Sequence, residues 1–90
     1  MNIDKDFVFP SHVMFQEFDD EAIILDIRTQ EHFGLNPISS FFLKNIQNGI
    51  KPLDIYALLL DEYDVSPEQL RSDLNALLDS LLKHQLIEVS

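Results

Sequence analysis

The side chains best suited to moving protons or holding a metal are three histidines, His12, His32 and His84, and a scatter of carboxylates. The histidines lie far apart in sequence. None forms a spaced pair with a carboxylate that would suggest a zinc site, so they read as surface or partly packed residues. The acidic pairs Asp19-Asp20 and Asp61-Glu62 fall at an expected turn and an expected helix end, where solvated charge explains them without acid–base chemistry. There is no cysteine, which removes thiolate nucleophiles, thiolate metal ligands and disulfides, and fits a cytoplasmic protein. The only glycines are Gly34 and Gly49, so no glycine-rich loop can cradle a phosphate, and no Gly-x-Ser-x-Gly elbow presents a serine. The expectation is a protein that is not an enzyme and needs no cofactor.

The tripeptide Asp79-Ser80-Leu81 is the one that carries phosphopantetheine in acyl carrier proteins, which are also small and acidic. Carrier serines open a helix near mid-chain, whereas Ser80 falls inside a leucine repeat close to the end, so the match lacks its context. The 90 residues make one domain with a single modest core, and 46% hydrophobic residues are enough to fold it. Sixteen acidic against six basic residues give a net charge of −10, which opposes nucleic acid and anionic membranes. The acids are spread along the chain, which favours solubility, although a basic partner would also suit them. The opening "MNIDKDFVFP" lacks the apolar centre of a signal peptide. No apolar run approaches the roughly 20 residues of a membrane helix.

Residues 1–10 read as a flexible tail ending at Pro10, with one domain over 11–90. Three short strands follow: "HVMFQEF" from His12 to Phe18, "AIILDI" from Ala22 to Ile27, and "HFGL" from His32 to Leu35. In the second, Ile23, Leu25 and Ile27 share one face and Ala22, Ile24 and Asp26 the other; in the third, Phe33 and Leu35 oppose His32 and Gly34. Short connections imply an antiparallel meander. Then the period changes. Asn36 can cap a helix with Pro37 at its first position, Phe41, Phe42 and Ile46 line it, with Ile38 and Leu43 widening the stripe, and Asn48-Gly49 ends it. Pro52 starts a second helix with Ile55, Leu58, Leu59 and Tyr63 on its buried face. Ser66, Pro67 and Gln69 form a capping box for a third, which carries Leu70, Leu74, Leu77, Leu78 and Leu81 along one wide apolar face. "LIEV" adds a short terminal strand. Strands first and helices afterwards indicate an α+β domain.

The stretch "EHFGLNPISSFFLKNIQNG", Glu31 to Gly49, joins a strand ending in aromatic-x-Leu-Asn directly to a helix closed by glycine. Downstream come an acidic-aromatic pair and Asp73-Leu74 with Leu77 and Leu81, running into an apolar terminus. Over roughly residues 10–89 this order resembles the PqqD family, the peptide chaperone of pyrroloquinoline quinone biosynthesis. The same domain serves as the precursor-peptide recognition element of ribosomal peptide pathways, including discrete leader-binding proteins of lasso-peptide clusters. The match rests on Phe33, Leu35, Asn36, Gly49, Asp73, Leu74, Leu77 and Leu81. Two positions depart from the pattern. Phe41 and Phe42 stand where many relatives have Trp, and Gln85 stands where many have Gly.

The resemblance implies a winged helix-turn-helix-like fold, a three-stranded antiparallel sheet followed by three helices. It implies a non-catalytic function: capture of a precursor peptide's leader by strand addition to the third strand, beside the third helix, and presentation to a protease, cyclase or radical enzyme. The implied peptide-binding residues are Glu31, His32, Phe33, Gly34, Leu35, Leu70, Asp73, Leu74 and Leu77. Gly34 would let a second backbone approach, and Asp73 would meet a leader Lys, Arg or backbone N–H. The structural alternative at each position is simple: buried sheet residues, core leucines, a glycine at a bulge, and an exposed helix charge. The expected partners are a leader peptide and its modifying enzyme, with neither nucleic acid nor membrane, and the chain a monomer or a weak homodimer paired through that strand edge. Two other functions fit parts of the pattern. A winged helix binding nucleic acid has this architecture and the wrong charge; a generic acidic adaptor would not need Gly34 or its strand.

Overall fold

The computed structural model describes residues 2–19 and 21–90. Five strands and three helices follow in order: β1 (Phe7–Val8), β2 (Val13–Phe18), β3 (Glu21–Asp26), β4 (His32–Leu35), α1 (Pro37–Gln47), α2 (Pro52–Glu62), α3 (Pro67–Lys83) and β5 (Glu88–Val89). The α+β expectation holds, with a winged-helix-like arrangement. β2, β3 and β4 form an antiparallel sheet in that order, which leaves β4 at one edge. Phe18 pairs with Glu21, and Asp19 turns between them with φ +42°. Asp20, expected in that turn and in the acidic pair, lies outside the described residues, as does Met1.

Alternation assigns the two sheet faces. Val13, Ala22 and Ile24 are buried, and Phe15, Phe33 and Leu35 pack against the same core. The helices supply the rest of that core: Phe42, Leu43 and Ile46 from α1, Ile55 and Leu59 from α2, and Leu70, Leu74, Leu78 and Leu81 from α3. The buried face of α2 differs from its sequence expectation. Pro52 is buried, whereas Leu58 and Tyr63 are exposed. α1 and α3 claim the side of α2 that carries Pro52, Ile55 and Leu59, and turn Leu58 to solvent.

Helix ends follow side-chain chemistry. Asn36 Oδ1 accepts from Ser39 N at 2.8 Å, and Ser66 Oγ accepts from Gln69 N at 3.3 Å. The expected capping box is only half made, because Gln69 Nε2 donates to Asp73 Oδ1 at 2.8 Å instead of reaching back. Gly49 takes φ +86° and Ile50 N reaches Asn45 O at 3.0 Å, a glycine-terminated closure of α1. α3 closes the same way without glycine. Gln85 takes φ +59° and Leu86 N reaches Leu81 O at 2.9 Å.

The first ten residues are not a loose tail over the described part. Asn2–Asp4 makes a 3-10 turn in which Ile3 is 0% exposed, with its backbone N–H donating to Asn75 Oδ1 of α3 at 2.9 Å. β1 pairs antiparallel with β5, Phe7 opposite Val89, and Phe7 is buried. An isoleucine and a phenylalanine close the open end of the helical layer, and that burial outweighs the entropy of ordering a short segment.

Candidate functional site

β4 exists because a four-residue turn closes it back onto β3. Asp26 N donates to Glu31 O at 2.9 Å, and Gln30 adopts φ +65° between them. In an antiparallel ladder, hydrogen-bonded and non-bonded pairs alternate. With Asp26 and Glu31 a bonded pair, Phe33 and Leu35 also turn their backbone groups toward β3. His32 and Gly34 then direct theirs away from β3, to the free edge. The register from Ala22–Leu35 to Leu25–His32 runs without a bulge, so Gly34 relieves none. A Cβ added at Gly34 would meet nothing within 4 Å.

Beside this edge runs the C-terminal half of α3. Between them lies a recess of about 180 Å³, with Phe33, Gly34 and Leu35 on the strand side. Leu77, Ser80, Leu81 and His84 form the helix side, and Leu86 closes one end. The Phe33 and His84 rings are 5.0 Å apart at 49°, a tilted pair that fixes one wall. The lining is almost wholly apolar, with the Ser80 hydroxyl and His84 imidazole as its polar side chains. A trough of this kind, bordered by unpaired strand backbone, can accept an extended peptide through main-chain hydrogen bonds and seat an apolar side chain beneath it.

The helix is held beside the strand by a polar clasp at the β3–β4 turn. Asp26, 3% exposed, accepts through Oδ1 from Arg28 N at 2.9 Å and through Oδ2 from Arg28 Nη2 at 3.3 Å. The hydrogen bond from Arg28 holds the Asp26 carboxyl below its ordinary value, against the opposing effect of burial. Arg28 Nη2 also donates to Gln85 Oε1 at 3.4 Å, and His12 Nε2 lies 2.8 Å from Gln85 O. Gln85 therefore ties the end of α3 to both His12, just before β2, and the β3–β4 turn.

The structure brings together Phe33, Gly34, Leu35 and Leu77 of the sequence-derived residues. His32 joins them through its backbone only, since its side chain is exposed on the outer face of the sheet. Glu31 is exposed beyond the strand and contributes the carbonyl that closes the turn. Leu70, Asp73 and Leu74 border a separate recess of about 220 Å³ near the start of α1, with Asn36, Ile38 and Val65 among its walls. Leu70 and Leu74 are core residues there, and Asp73 is engaged by Gln69. Sequence reasoning missed Ser80, Leu81, His84 and Leu86 as recess residues. The available signal was spacing: Ser80, Leu81 and His84 follow Leu77 at i+3, i+4 and i+7. Among the described residues no group of three or more potential ligands could hold a metal ion, and no helix is long and apolar enough to cross a membrane.

Comparison with known proteins adds three findings. Residues 21–87 match the family model of coenzyme PQQ synthesis protein D (PqqD). The fold is similar to that of TbiB1 in complex with the TbiA(beta) leader peptide, with 28% identity, a TM-score of 0.81, and coverage of 89% of this chain and 93% of that one. It is also similar to lasso peptide synthetase B1 complexed with the leader peptide, at 24% identity and a TM-score of 0.82, covering 92% and 98% of the two chains; this likeness is one of fold. No curated protein matches the chain.

Proposed function

The chain belongs to the family of coenzyme PQQ synthesis protein D, and on that premise we propose that it is a non-catalytic binding protein for the leader segment of a ribosomally made precursor peptide. The observation that carries this reading is the open edge of β4 set beside the apolar recess against α3. The leader adds as a further strand, bonded to the outward N–H and C=O groups of His32 and Gly34. One of its apolar side chains enters the recess between Phe33, Leu77 and Leu81. The complex of the similar TbiB1 with a leader peptide supports the same use of the fold.

The bound leader holds the rest of the precursor near the active site of a protease, cyclase or radical enzyme. The contribution is effective concentration, not chemistry. The protein acts in the cytoplasm as a monomer, or as a weak homodimer when β4 pairs with its own copy. The test is a titration of isotope-labelled protein with synthetic leader peptides from its gene neighbourhood, followed by amide shifts. Saturable shifts at His32–Leu35 and along Leu77–His84 are expected. Unmoved amides there at high micromolar concentrations of every such peptide would overturn the reading.

A further inference from the structure

The sheet has a second face that no described helix covers. Its row of side chains is Met14, Gln16 and Phe18 on β2, Glu21, Ile23 and Leu25 on β3, and His32 and Gly34 on β4. Cross-strand neighbours place Met14 beside Leu25 and Leu25 beside His32. Met14 is 42% and Phe18 53% exposed, and Ile23 and Leu25 do not belong to the core cluster that the opposite face joins. A two-layer domain ordinarily presents a polar outer face, with apolar and polar residues alternating along each strand. Here β3 reads Glu-Ala-Ile-Ile-Leu-Asp and is apolar on both sides through its middle. That is the pattern of a strand that something covers on both faces.

The geometry points to this outer face as the docking surface for the peptide-modifying enzyme, an inference that rests on the leader-capture reading above. Charge selects the occupant. Asp19 and Glu21 lie at one end of the face, while Arg28 is committed to Asp26. The whole chain carries −10, so self-repulsion weighs against a second copy on this face, where no backbone pairing offsets it. A partner with an apolar centre and a Lys/Arg rim is attracted instead. Continuity agrees with this: a leader strand added to β4 extends the same sheet, so an enzyme seated over β2 and β3 stands directly beside the captured peptide.

The test uses the full chain and the purified modifying enzyme encoded beside it, titrated without leader, with leader binding measured separately. Met14→Lys and Phe18→Lys replace exposed side chains, so the fold is kept, and Val8→Lys changes an equally exposed apolar residue on β1 as a control. The first two variants should lose at least about tenfold in enzyme affinity. Leader affinity in both, and enzyme affinity in the control, should stay within about twofold of the unaltered chain, well inside that tenfold margin. Unchanged enzyme binding by Met14→Lys and Phe18→Lys would overturn the proposal. So would sedimentation of the unaltered chain as a dimer that Met14→Lys dissociates, which would give the face to a second copy. Absence of leader binding by the unaltered chain would defeat leader capture alone, and the leader-free enzyme titration would still decide the surface.

Discussion

Leu77 and His84 stand about two turns apart on α3 and border the same recess against β4. Leu77 is half-buried at the edge of the core, so Leu77→Asp places a charge on that apolar wall and leaves the fully buried leucines unchanged. Calorimetry should show leader affinity reduced at least about tenfold with helicity intact; unchanged affinity would remove the recess from binding. Asp26 makes a pH-dependent contribution. Its folded carboxyl is held below the ordinary value, so the stability it provides is complete above the unfolded carboxylate pKa and is lost as pH falls through the lowered folded value. The urea midpoint should therefore drop as the solution is taken below about pH 4. Asp26→Asn should be less stable than the unaltered chain at pH 7 and should lose less on acidification. Gln85 has the opposite character, since its backbone sits where glycine is favoured. Gln85→Gly should stabilise the fold by about 0.5 to 1 kcal/mol in denaturant unfolding, less whatever the exposed hydrogen bond to Arg28 contributes.

At the scale of elements, legibility followed local chemistry. Asn36-Pro37 and Ser66-Pro67 announced their helices because a capping oxygen and a preset φ act within a few residues. The "HFGL" strand was read to its observed bounds because a turn and a cap bracket it. β1 and the 3-10 turn were missed because two or three residues carry no period; only tertiary packing reveals that Ile3 and Phe7 are core. Leu58 and Tyr63 were misassigned for a related reason: α2 is apolar on more than one side, so its neighbours decide which side is buried. The recess was half legible. Its apolar members lie on periodic faces, whereas Ser80 and His84 look like solvent-facing residues until β4 is placed opposite them. Ile3→Ala tests the weight of the missed element. It should cost about 2 to 5 kcal/mol by denaturant unfolding, whereas a loss below about 0.5 kcal/mol would mean the segment is only loosely attached.

At the scale of the molecule, the net charge of −10 and the apolar recess make separable demands on a ligand. Leader binding driven by strand pairing and apolar burial should change less than about threefold between 50 and 500 mM salt, whereas a nucleic acid complex loses orders of magnitude over such a range. A steep salt slope in a fluorescence-anisotropy titration would move recognition from the recess to the charged surface. The pairing of β1 with β5 has a different kind of consequence. Phe7 lies opposite Val89, and Ser90 N donates to Asp6 O at 2.9 Å, while Asn2–Asp4 runs on to α3 and buries Ile3. A linker long enough to reach from Ser90 past β1 to Asn2 would let the backbone be cut elsewhere with Ile3 still in the core. That rearrangement would leave β4 and α3 facing each other as they do now.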